Sequence, residues 1–172
     1  ASAILSGLVG SEMCIRDSNI IPQLRNYWSE KLNLDLEYVK SCKGLLPATK
    51  FAVDAYVNFV ENKSLLEGIA SSLTEIYAPA IHQERIAGLS KYYDWADDYA
   101  LAYFKKRINQ ARRDVEFGRE WVIKNAISRS DQEAVLNAVK FKTEVLWAQL
   151  DALYELLSDK RKKKVKNEFE SF

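Results

Sequence analysis

From Asn19 onward, apolar residues recur at spacings of three and four almost without interruption. That spacing returns side chains to one side of an α-helix, whereas a half-buried strand would alternate. A chain patterned this way must gather amphipathic helices around a shared interior. Composition agrees: 172 residues include only 6 Gly and 3 Pro, so little interrupts helical stretches rich in Ala, Leu, Glu, Lys and Arg. The expected fold class is all-α, a bundle of packed helices.

The periodicity divides the chain. Ile21, Leu24, Trp28 and Leu32 mark a first short helix, and "LDLEYVKSC" a second, closed by Gly44 and Pro47. Pro47 suits the first turn of a third, with Phe51, Ala55 and Phe59 on its apolar stripe. Ser64 and Glu67 form a capping box that opens a helix running to about Leu89, with a kink expected at Pro79. Asp94 is the expected cap of a long helix reaching about Ala126. Ser130 and Glu133 suggest another capping box. It would open a last helix that buries Val135, Val139, Leu146, Leu150, Leu153 and Leu157.

The ends read differently. "LVGSEMCIRDS", Leu8 to Ser18, has no period and contains the only Met. It back-translates to the transposase tag used in sequencing-library preparation, so residues 1–18 are expected to be an artefact outside the domain. Residues 19–158 are then a partial bundle domain, truncated at its N-terminus. Residues 159–172 form a basic tail, expected to be a solvated, fraying end.

Charge and cysteine content narrow the function classes. Lys and Arg total 25 against 24 acids, which gives no general attraction to nucleic acid or membrane. No apolar run reaches the roughly 18 residues of a membrane span. Two cysteines without a CxxC pair offer neither a disulfide framework nor a zinc site. A reducing, cytoplasmic setting is expected.

Charge interrupting an apolar stripe is the more informative signal, because an unpaired buried charge is costly. Lys142 falls in register with Val135, Val139, Leu146 and Leu150; it either faces the interior with an anionic partner or snorkels outward. Tyr103, Arg107, Gln110 and Asp114 form one polar line beside Leu101, Phe104, Ile108 and Val115. That line is either a carboxylate-binding wall or an exposed face carrying an internal Arg–Asp pair. Glu75, the sole histidine His82, and Arg85 share a side of the kinked helix. One His and one carboxylate are too few for a convincing zinc or di-iron site. Together these groups suggest a pocket for a polyanionic small molecule.

Four blocks carry a resemblance: "LPATKFAVDAYVNF", "SSLTEIYAPAIHQER", "YFKKRINQARRDVEFG" and "FKTEVLWAQLDALY". In order and spacing, from about Leu45 to Tyr154, they resemble the C-terminal part of the pyrroloquinoline-quinone synthase family. The resemblance implies a haem-oxygenase-like bundle of about seven helices that acts as a homodimer. It implies ring closure and eight-electron oxidation of a tricarboxylate quinone precursor, with O2 as co-substrate and hydrogen peroxide released. No metal or organic redox cofactor is implied. Metal-dependent relatives of the fold carry His-x3-Asp-x2-His where this chain has Tyr103, Arg107 and Gln110. A guanidinium cannot serve as an iron ligand.

Carried over position by position, the family's pocket residues match Tyr56, Thr74, His82, Arg85, Tyr103, Arg107 and Lys142. The resemblance implies that His82, Tyr103, Arg107 and Lys142 act in the chemistry, and that Tyr56, Thr74 and Arg85 bind substrate. The family's N-terminal helices add further Arg, His and Tyr groups, whereas residues 1–44 here contain no histidine. The chain alone is therefore expected to be inactive and to leave an apolar face uncovered. Two other readings stay open: a metal-dependent oxygenase or thiaminase-type enzyme of the same fold, and a non-catalytic ligand-binding bundle.

Overall fold

From Leu36 onward, each α-helix begins where a nearby side chain or a proline resolves its unpaired amides. The computed structural model describes residues 16–169, with side-chain surroundings for residues 21–158. Most of the expected tag, residues 1–15, and the side chains of the basic run 159–172 lie outside the described residues. In chain order the helices are α1 (Arg16–Lys31), α2 (Leu36–Ser41), α3 (Pro47–Asn62) and α4 (Leu65–Ser72). A 3-10 segment (Leu73–Tyr77) leads to α5 (Ala78–Tyr92), α6 (Asp98–Asn125) and α7 (Arg129–Phe169). No strand occurs among the described residues, so the all-α class holds.

Two caps stand where the sequence placed them. Pro47 opens α3, and Ser64 and Glu67 close a reciprocal capping box at α4. Two others are corrected. Asp97, rather than Asp94, caps α6 by accepting the Ala100 amide at 2.9 Å. It also accepts a hydrogen bond from the Tyr27 hydroxyl, which ties α1 to the start of α6. At α7 the reciprocal pair is Ser128 with Asp131 rather than Ser130 with Glu133. The segment "SRSDQE" carries two overlapping cap motifs, and the first one wins. Glu133 is left to pair with Arg129 at 2.8 Å.

Pro79 does not kink a continuous helix. It sits in the first turn of α5, where its missing amide costs nothing, and the break lies upstream in the 3-10 segment. On α3 the buried side turns one residue from the expected stripe. Ala52 is buried and Tyr56 half-buried, whereas Phe51 is 68% exposed and Ala55 is also exposed.

The core forms where α4 and α6 meet α7. Ile69, Ala70, Val122 and Ala138 are buried, and Phe59, Leu66, Leu73, Trp121, Val135 and Val139 pack around them. Ala70 and Ala138 let the backbones of α4 and α7 approach closely. Gly118 of α6 is buried beside Leu73, where a Cβ would make an ordinary contact of 3.4 Å with the leucine side chain. Phe59 stacks on Phe141 with ring centres 4.5 Å apart, joining α3 to α7.

The buried side of α7 passes through Val135, Ala138, Lys142 and Val145. The expected continuation through Leu146, Leu150, Leu153 and Leu157 is overturned: all four are exposed, Leu150 by 64%. Length supplies the reason. α7 has 41 residues, α3 has 16 and α4 has 8. At ~1.5 Å per residue, α7 runs well past the helices that cover it. Its backbone continues helically through the basic run to Phe169.

The close contact at Ala70, which is fully buried, makes a measurable demand. Ala70→Leu should destabilise the fold by about 1–3 kcal/mol through overpacking, read from the shift of the urea midpoint at constant m.

Candidate functional site

The 3-10 segment brings a carboxylate between two long helices. Continuing α4 by tighter turns carries Thr74 and Glu75 towards α6 and α7 and then sets α5 along α6. Glu75 Oε2 accepts a hydrogen bond from Arg107 Nη2 at 3.3 Å. Arg107 is 4% exposed and also lies near Asp114, with Nη1 3.7 Å from Oδ2. Asp114 is shared with Arg113, again at 3.7 Å. The polar line on α6 is thus an interior feature, and its arginine bridges carboxylates from two elements.

Lys142 reaches the same region from α7. It is half-buried, and its ammonium lies over the Tyr56 ring, 3.3 Å from the centroid. Burial lowers its pKa from the ordinary lysine value, and the negative charge of Glu75 opposes that shift. The Tyr56 hydroxyl stands 3.1 Å from Ser71 Oγ, which donates to the Gly68 carbonyl at 2.7 Å. Thr74 donates to the Ser71 carbonyl at 3.3 Å. Ser71, fully buried, thereby anchors two pocket residues.

His82 enters from α5. It is buried, and its ring lies 5.6 Å from Phe104 and 6.3 Å from Tyr103. Burial, followed by the charges of Arg85 and Arg107, holds its pKa below the ordinary value, with Glu75 opposing. Among the described residues, His82 Nδ1 and Arg107 Nε are buried without a hydrogen-bond partner. Arg85 differs from the other cations. It is exposed, stacks over Phe104 at 5.2 Å, and reaches His82 through its field.

Of the seven residues singled out from sequence, Arg107, Lys142 and His82 lie within the hydrogen bond or field of Glu75. Tyr56 adjoins Lys142 and shares Ser71 with Thr74. Tyr103 and Arg85 stand with His82 around Phe104, Arg85 at the rim. Sequence reasoning missed Ser71, whose only signal is the small-residue run "GIASS", and it underweighted Glu75. Phe104, read simply as apolar, is the surface against which His82, Tyr103 and Arg85 are arranged. Behind Tyr103 and Phe104, an apolar cavity of about 390 Å³ opens towards Leu24, Trp28 and Leu32 of the N-terminal segment and Val39 of α2. Among the described residues, no three His, Cys, Asp or Glu side chains cluster closely enough to hold a metal ion. No described helix is long and apolar enough to cross a membrane.

These features define an all-helical bundle with a cationic, carboxylate-bridged interior cluster. The chain belongs to the TENA/THI-4/PQQC family, whose model matches residues 10–152. It is 59% identical to the pyrroloquinoline-quinone synthase of Rhizobium meliloti (strain 1021) over 126 residues, 73% of this chain and 49% of that protein. With the enzyme of the same name from Rhodopseudomonas palustris (strain TIE-1), identity is 53% over 131 residues, 76% of this chain and 52% of that one. With that of Ruegeria pomeroyi it is 50% over 126 residues, 73% and 52% respectively. The chain spans about half the length of the curated relatives it matches.

As the sole histidine, His82 can be followed directly by proton NMR. It should titrate below 6.5, and Arg85→Ala should raise its pKa. The folded chain binds this proton less readily than the unfolded chain. Stability should therefore fall as pH drops below about 6.5, until folded His82 itself protonates. At Lys142, where burial disfavours charge, Lys142→Met should hold or raise the thermal midpoint, measured by circular dichroism.

Proposed function

We propose that this chain forms part of the substrate pocket of a pyrroloquinoline-quinone synthase. The reaction is ring closure and eight-electron oxidation of a tricarboxylate quinone precursor. Molecular oxygen accepts the electrons and hydrogen peroxide is released. The observation that carries the reading is the burial of Arg107 and half-burial of Lys142 around a common interior point, in a chain 50–59% identical to enzymes of that name. Cations are costly to place in a bundle interior. Arg107 is met there by Glu75 and Asp114, and an acidic guest accounts for a second cation, Lys142, beside them.

Roles follow from chemistry. Arg107 and Lys142 neutralise carboxylates and quinone oxygens, and Arg85 at the rim draws the anion inward. Lys142 and Tyr103 stabilise negative charge as it develops on the reduced ring or on reduced oxygen. His82, held neutral near pH 7 by burial and neighbouring arginines, is suited to accept a proton as the ring is oxidised. Tyr56 and Thr74, both fixed through Ser71, orient the ring system. The substrate passes its electrons to oxygen without a metal or organic redox cofactor. The intact protein works as a cytoplasmic homodimer, and residues contributed by the unmatched half of its relatives complete the pocket.

The test uses the full-length protein carrying these residues. Arg107→Ala and Lys142→Ala should each weaken equilibrium binding of the quinone product by about tenfold or more, the scale of a lost charge-assisted hydrogen bond. Unchanged binding in both variants would leave a bundle without this function. Turnover that requires stoichiometric iron would instead assign a metal-dependent relative of the same fold.

A further inference from the structure

Arg107 is already occupied. Its guanidinium faces two carboxylates, yet a pocket for an acidic guest needs cations with capacity to spare. One of the two must yield, and the surroundings distinguish them. Asp114 lies two turns along the same helix as Arg107, is 23% exposed, and is shared with Arg113 on the outside. Glu75 comes from a separate element, the 3-10 segment, and its side chain is 35% exposed. It is also the carboxylate whose field reaches both Lys142 and His82.

From this geometry we infer that Glu75 is a placeholder. Its carboxylate sits on Arg107 in the empty pocket, where a carboxylate of the guest binds, and it is displaced when the guest arrives. This rests on the reading of the pocket as a polyanion site. A buried guanidinium cannot stand unpaired while the pocket is empty, so an internal anion keeps Arg107 in place. An anion on the tighter turns of a 3-10 segment, with solvent within reach, can rotate away at less cost than one held along the helix. Glu75 is thus a positioning residue that lowers guest affinity while keeping the cations arranged to receive it.

Citrate, a simple tricarboxylate, serves as the probe for this chain. Calorimetry gives its affinity, and the His82 proton resonance reports the pocket. Glu75→Gln should bind citrate about fivefold tighter than the parent chain, as expected when a competing ion pair is removed. The same variant should lower the His82 pKa before citrate is added, because a field that raises it has gone. Asp114→Asn, which removes the same charge from the same arginine, should tighten citrate less. Glu75→Asp, shorter by one methylene, should fall between the parent and Glu75→Gln and provides a folded comparison should the amide disturb packing.

Citrate affinity unchanged or weakened in Glu75→Gln, with His82 still titrating as a buried group, would overturn the placeholder. Equal tightening by Asp114→Asn would overturn it too, since bulk charge would then explain the effect. The proposed function fails separately. If citrate follows the predicted order but the full-length protein binds no quinone, the displacement stands and the synthase reading does not.

Discussion

A guanidinium 4% exposed inside a helical bundle sets terms for everything near it. Its desolvation must be offset by anions close by, and no regular helical turn of α4 or α5 supplies one. The chain instead tightens into a 3-10 segment at Leu73–Tyr77, which delivers Glu75 to Arg107. The same change of pitch lets Pro79 start α5 and sets His82 beside Tyr103 and Phe104. Lys142 can then lie over Tyr56 with Glu75 in its field. Backbone irregularity and buried charge are here two parts of one arrangement.

Small residues make that arrangement reachable. Ala70 and Ala138 hold α4 close to α7, and Gly118 of α6 lies against Leu73 at the start of the 3-10 segment. Ser71 sits next to that contact and uses its position to hold Tyr56 and Thr74. Packing and pocket therefore share residues. A larger side chain at Ser71 would disturb both the α4–α7 contact and the orientation of the tyrosine that supports Lys142.

Much of the architecture could be read in the order of residues, for identifiable reasons. Apolar spacing located most of the helices and set Lys142 in line with the buried residues of its own helix, because periodicity reports directly which residues share a side. It ran α4, the 3-10 segment and α5 together as one helix, and it left open whether Lys142 turned inward. Caps were less legible. Asp94 and Asp97 are both plausible acceptors, and only the turn formed by Tyr93–Asp97 selects the second. The outer half of α7 was misread for a different reason. Leu146, Leu150, Leu153 and Leu157 keep an apolar pattern, but no pattern states how long the neighbouring helices are. Within the cluster, residue type and resemblance named the participants. Arg85 at the rim and Glu75 at the centre depend on three-dimensional placement and could not be seen in spacing.

The joint between α4 and α5 has a consequence for how such chains can vary in length. Adding or removing one residue within Leu73–Tyr77 would swing all of α5 by roughly 120° about its axis, the turn per residue of a 3-10 helix. The imidazole would leave its aromatic neighbours, and a residue from another side of the helix would take its place. Insertions and deletions should therefore be tolerated in the connection after Tyr92 and excluded from this five-residue joint, whatever amino acids occupy it.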